Sequence, residues 1–163
     1  MEVGYLFQIG DKIVYSVHGA GIIKGIEEKE ISGDKQQYYI IKMIIGNMQV
    51  MIPKGKIVSS CIRPVTDINA LKHIIHIFQH GKSDRVLTWK QRYKVNTDKI
   101  KTGKIQDCAE VVRDLMRIKK EKALNSSEKK MLDNAHDFLI SELGLIKGIT
   151  DNQIKSFYEG SSR

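Results

Sequence analysis

The chain has 163 residues, 41% apolar and 28% charged, with a net charge of +8 and a pI of about 9.4. That suits one ordinary soluble domain or two small ones, and low Pro with moderate Gly argues against a long disordered tract. YYIIKMII, residues 38–45, is broken by Lys42 and too short to span a bilayer; MEVGYLFQIGDK lacks the regions of a secretory signal, so a cytoplasmic protein is expected.

The first part reads as β structure. DKIVYS (11–16), GIIKGIEEKEI (21–31), QYYIIKMII (37–45) and MQVMI (48–52) are rich in β-branched and aromatic residues. Ser32-Gly33-Asp34 separates the second and third runs, and Gly46-Asn47 gives a two-residue hairpin signal between the third and fourth. Residues 60–63 supply a short fifth strand before Pro64. Five short strands in about 65 residues predict a small antiparallel barrel of the SH3 or Tudor type over 1–65. Gly19, Gly21 and Gly25 have the wrong spacing for a dinucleotide fingerprint and no helix follows them. They read as β-turn and bulge glycines.

The period then changes. TDINALKHIIHIFQHG (66–81) places Ile68, Leu71, Ile74, Ile75 and Phe78 on one helical face, with Thr66 or Asp67 to cap it and Gly81 to end it. Residues 105–124 repeat the pattern through Cys108, Val111, Val112, Leu115 and Met116. Asn125-Ser126-Ser127-Glu128 is a variant capping box opening a third long helix, and TDNQIKSFYEG (150–160) predicts a further short one. The fold expected is α+β, with an all-α unit over 66–163.

The charge is local. Residues 1–66 carry a net +2, and residues 82–104 hold eight Lys/Arg against Asp84 and Asp98, a net +6. A basic stripe of this kind fits a polyanion, because neutralising phosphates releases counterions; a merely solvated face is the bland alternative. No nucleophile, Walker, HExxH or dinucleotide motif is present, so no enzyme and no cofactor are expected. Cys61 and Cys108 form no CxxC and read as packing residues. His73, His76 and His80 share one side of the first helix without an acidic ligand beside them and read as a solvated face, so no metal site is expected.

Trp89, the single tryptophan, stands in VLTWKQRYKVN (86–96), in a segment expected to begin as a loop and enter a short helix near Lys90. A lone Trp is commonly core. Its cationic neighbours instead suit a ring that stacks on bases or opens a base step. Tyr93 is expected to pack inward with its hydroxyl at the surface.

FQIGDKIVYSVHGAGIIKGIEEKEISG (7–33) with YYIIKM resembles the polymerase-interacting domain shared by CarD-like regulators and transcription-repair coupling factor. TWKQRYKVNTDKIKTGKIQDCAEVVRDL (88–115) and LNSSEKKML resemble the helical domain peculiar to the CarD/CdnL regulators. The resemblance covers nearly the whole chain, without the coupling factor's helicase motor. It implies a cytoplasmic regulator, expected to be a monomer, that docks on the RNA polymerase β subunit and stabilises the open promoter complex. By position, Trp89 would be a minor-groove wedge at the upstream fork, with Lys90, Arg92, Lys94 and Arg85 as basic contacts to promoter DNA. Lys29, Ile31 and Met51 would face the polymerase. Ser16, Gln91, Met51 and Lys29 depart from residues found in some relatives (Pro at the first, Arg at the others), which weakens the polymerase contact more than the DNA contact. A polymerase-independent, sequence-nonspecific nucleic-acid-binding protein is the rival reading.

Overall fold

A computed structural model describes residues 7–83 and 87–152, and the chain divides into two units, 1–65 and 66–163. The first unit contains β1 (Lys12–Tyr15), β2 (Gly19–Ile31), β3 (Asp34–Met43), β4 (Gln49–Pro53) and β5 (Ile62–Pro64). They form one antiparallel sheet in the order β4-β3-β2-β1-β5.

The expected five antiparallel strands are present, but among the described residues β4 and β5 do not pair, so the sheet is not closed into a barrel. The physical reason lies in residues 54–61. This segment forms a 3-10 turn at Lys54–Lys56 and further turns, and carries the chain between the edges without ladder bonds. It still contributes to the core, because buried Ile57 packs with Ile13, Ile23, Ile41 and Ile52. Tyr39 is buried there too. Its hydroxyl accepts a hydrogen bond from the Phe7 backbone N–H at 3.2 Å, which satisfies the one polar atom of that side chain.

Two turns follow different rules. β2 and β3 join through Ser32 and Gly33, both at positive φ (53° and 84°), with Ile31 opposite Asp34. Positive φ at both positions gives a two-residue turn whose twist matches the strands. Between β3 and β4 the expected two-residue turn is wider. β3 ends at Met43, whose N–H donates to the Met48 carbonyl at 2.8 Å, and Ile45–Asn47 form a 3-10 turn. Gly46 and Asn47 still supply the positive φ, but Ile44 and Ile45 leave the strand and Ile44 is exposed.

Gly21 has a role beyond a turn. A Cβ there would sit 2.9 Å from the Lys42 carbonyl oxygen and 2.9 Å from Ile41 Cγ2, so the approach of β2 to β3 excludes a side chain. Gly25 adjoins the register shift after Ile23, as a bulge glycine should.

The second unit contains α1 (Ile68–His80), α2 (Trp89–Lys101), α3 (Ile105–Glu121) and α4 (Ser126–Leu143). Asp67 caps α1, its carboxylate accepting from the Ala70 N–H at 3.1 Å. α3 packs against each of the other three helices. Its face of Cys108, Val111, Val112 and Leu115 is buried, as are Leu71 and Ile74 of α1 and Leu132, Ala135 and Leu139 of α4. Glu142, near the end of α4 and fully buried, accepts from both the N–H and the hydroxyl of Thr66, each at 3.0 Å. The short helix expected over 150–160 lies almost wholly outside the described residues. No described helix is long and apolar enough to cross a membrane. Cys108 is buried, whereas Cys61 is exposed at positive φ in a turn, so the packing role expected for it does not hold.

Candidate nucleic-acid interface

The basic segment folds as α2, a 13-residue helix where a short one was expected. Its start is written in Thr88-Trp89-Lys90-Gln91. The Thr88 hydroxyl accepts from the Gln91 N–H at 3.3 Å, and the Gln91 side-chain oxygen accepts from the Thr88 N–H at 3.0 Å. This is a reciprocal capping box, visible in the sequence as T-x-x-Q but unused there. It gives the Gln91 side chain a structural task in the helix cap.

The cap leaves Trp89 as the first residue of the helix, 49% exposed. Its ring is therefore presented at the surface and is not core. Tyr93, one turn on, is 37% exposed, so most of the residue is covered while part of it reaches the same surface as Trp89. Lys90 Nζ stands 5.9 Å from the Trp89 ring centroid. Lys94 is exposed and meets Asp98 at 3.3 Å, an i,i+4 surface pair whose net worth is only a few tenths of a kcal/mol. No acidic residue occupies the first turn of α2, so the positive end of its dipole is not offset where the ring and Lys90 lie.

Arg92 differs. Its side chain is 13% exposed and its Nε lies 2.7 Å from Glu128 Oε1, a carboxylate that is 2% exposed at the start of α4. Glu128 was expected to complete the capping box of α4. The backbone half is present, Asn125 Oδ1 accepting from the Glu128 N–H at 2.8 Å, but its carboxylate turns to Arg92. Arg85 lies outside the described residues.

Behind α2 a cleft of about 490 Å³ opens between α1, α2 and α3. Arg113 and Arg117 of α3 line it and close the C-terminal end of α1. Arg113 donates to the carbonyls of Ile77 and Lys82, and Arg117 to those of Gly81 and Phe78, at 2.7–3.3 Å. Cations at this end also complement the helix dipole. Gly81 is extended, not left-handed (φ −65°, ψ 142°), and a Cβ there would strike the Arg113 guanidinium. It would also stand 2.6 Å from the Ile77 carbonyl oxygen, so glycine at the end of α1 leaves room for both the arginine and that carbonyl. The i,i+4 spacing of the two arginines was the available signal for this contact. Asn96, on the inner side of α2, is buried with no hydrogen-bond partner for its Nδ2.

In the sheet unit, Lys29, Ile31 and Met51 are all exposed. Pairing puts them on one sheet face. Met51 is opposite Ile40, Lys29 opposite Gln36 and Ile31 opposite Asp34, and residues 34, 36 and 40 of β3 share a face by alternation. That face is opposite the one bearing Tyr39, Ile41 and Met43. The three residues are spread over roughly 20 Å, taking about 3.3 Å per strand residue. Lys29 also meets Glu27 at 3.8 Å. His73, His76 and His80 are exposed, and among the described residues no cluster of His, Cys, Asp or Glu could hold a metal ion.

Residues 73–159 match the family described as CarD, C-terminal domain, and residues 7–66 match the CarD-like/TRCF RID domain. The chain belongs to the CarD family. Among CarD-like proteins it is 76% identical over 152 residues to the candidate transcription factor YdeB of Bacillus subtilis (strain 168), covering 93% of this chain and 99% of that one. Two solved Myxococcus xanthus structures are also similar. The 72-residue N-terminal domain of CarD is 28% identical, with a TM-score of 0.31, over 36% of this chain and 77% of that one. CdnLNt is 34% identical, with a TM-score of 0.33, over 40% of this chain and 92% of that one.

Proposed function

We propose that this CarD-family chain is a non-enzymatic, cytoplasmic transcription regulator. Its sheet unit, related to Tudor-like modules, docks on the RNA polymerase β subunit, and α2 acts on promoter DNA at the upstream edge of the transcription bubble. The observation that carries the reading is the half-exposed Trp89 at the first position of a capped helix, with Lys90 beside it and no acid in that turn. A flat ring beside cations can enter an opened base step while the lysines hold the phosphates on either side. Lys90 and Lys94 are the phosphate contacts, Trp89 is the wedge, and Lys29, Ile31 and Met51 face the polymerase.

Promoter melting is close to balanced, so a ligand preferring the open form shifts it by its differential affinity. Little intrinsic DNA affinity is needed, because docking on polymerase raises the local concentration of α2. The protein acts as a monomer, one copy per polymerase.

Mixing with the isolated β-subunit lobe on a sizing column tests the first contact. A footprint of the polymerase–promoter–protein complex tests the second. Co-elution and protection at the upstream fork are expected. Absence of co-elution would favour a polymerase-independent nucleic-acid-binding protein, and protection away from the fork would overturn the wedge.

A further inference from the structure

The geometry points to Arg92 as a positioning residue that sets the pose of Trp89 through Glu128, and not as a phosphate contact. This rests on the proposed function above. Arg92 lies three residues after Trp89, on the turn that the Thr88–Gln91 box orders. Its Nε is 2.7 Å from a carboxylate that solvent scarcely reaches. Lys90 and Lys94, by contrast, are exposed.

The pair matters because α2 is thinly anchored. Asn96 is its one buried residue, against seven in α3 and eight in α4. A helix with so little apolar contact depends on its polar ties, and the Arg92–Glu128 pair joins its first turns to the first turn of α4. Glu128 is well suited to hold the arginine. It is fixed by the Asn125 cap, and the N-terminal end of α4 favours a carboxylate. Removing one partner leaves the other buried and uncompensated, which is strongly unfavourable. Loss of the tie would free the turn that carries the indole.

The two roles predict opposite signs. If Glu128 only competed with DNA for Arg92, Glu128→Gln would release a cation to phosphate and lengthen the open complex. If the pair positions Trp89, Glu128→Gln and Arg92→Gln both shorten its lifetime, roughly twofold to tenfold, the range of a weakened base stack. The salt slope separates them again. Loss of a phosphate contact such as Lys90→Ala lowers the slope by about one, whereas loss of a positioning residue leaves it unchanged.

The experiment measures lifetime against salt for full-length Glu128→Gln, Arg92→Gln, Lys90→Ala and the double variant Arg92→Met/Glu128→Met. A buried ion pair replaced by apolar side chains of similar size commonly keeps its packing. The double variant is therefore expected to recover most of the lifetime although it lacks the cation. A lengthened lifetime in Glu128→Gln, a slope lowered by about one in Arg92→Gln, or no recovery in the double variant would overturn the assignment. Trp89, the single tryptophan, supplies a readout without polymerase. Its fluorescence anisotropy should fall in both single variants and return in the double one, and unchanged anisotropy would overturn the tie. If Trp89→Ala left the lifetime unchanged, the wedge would fail while the anisotropy still reported on the pair.

Discussion

Replacing Trp89 by alanine separates the wedge from every other contribution of the chain. Base–aromatic stacking is worth about 1–3 kcal/mol per base. With Trp89 only partly exposed, at 49% for the residue, the effect is placed at the lower side of that range, about 0.5–1.5 kcal/mol, or roughly a 2- to 12-fold shorter open-complex lifetime. The covered part of Trp89, on the order of 100 Å², sets an upper bound of about 2.5 kcal/mol on the accompanying loss of stability. Helical content and polymerase binding should therefore be measured on the same preparation. The assay challenges preformed open complexes with a competitor and follows a fluorescent base analogue at the upstream fork. Trp89→Phe should fall between alanine and the native chain, because a smaller ring still stacks. An unchanged lifetime for Trp89→Ala, with polymerase binding intact, would refute the wedge.

Gly21→Ala should destabilise the sheet unit by about 1–3 kcal/mol, since the new methyl meets the Lys42 carbonyl, which is backbone and cannot rotate away. Thermal unfolding checks this, and an unaltered midpoint would mean the strands can part without penalty. Asn96→Leu removes a buried donor with no partner and should be neutral or stabilising by about 1 kcal/mol in denaturant titration. A clear loss would show that the amide is used. Burial holds the His136 imidazole below its usual 6.5, against the opposing pull of Asp137 and Asp133. The unfolded chain therefore takes up that proton first as pH falls. The stability contributed by His136 is complete above 6.5 and lost as pH drops through the lower folded value. His136→Gln should flatten that part of the stability–pH curve, and an identical curve would remove His136 as its source.

The sequence made the elements legible where one physical signal dominated. Periodic apolar faces located α1, α3 and α4, and the Asn125 and Asp67 caps lie where side-chain chemistry demanded them. Aromatic and β-branched runs located the strands. What escaped were choices made by tertiary contact. Ile44 and Ile45 have strand propensity, yet the chain turns before them. Glu128 has two possible uses, and only the approach of Arg92 selects one. Gly81 ends a helix in any reading, but the arginine that requires the gap comes from a residue 32 positions later. At the candidate site, the charge and ring of the basic stripe were readable. Which cation turns inward was not, because Lys90, Arg92 and Lys94 look alike until α4 is present.

The two hydrogen bonds from Thr66 to Glu142 close a loop of chain 76 residues apart. They act as a clasp between the beginning of the helical unit and the last turn of α4. Closing so long a segment has an entropic cost that grows only slowly with its length, so a clasp at the ends restrains far more chain than one between neighbours. The boundary of a viable fragment is thereby fixed chemically. A helical unit cut after Thr66, or ended before Glu142, loses one half of the clasp and both of its hydrogen bonds with it.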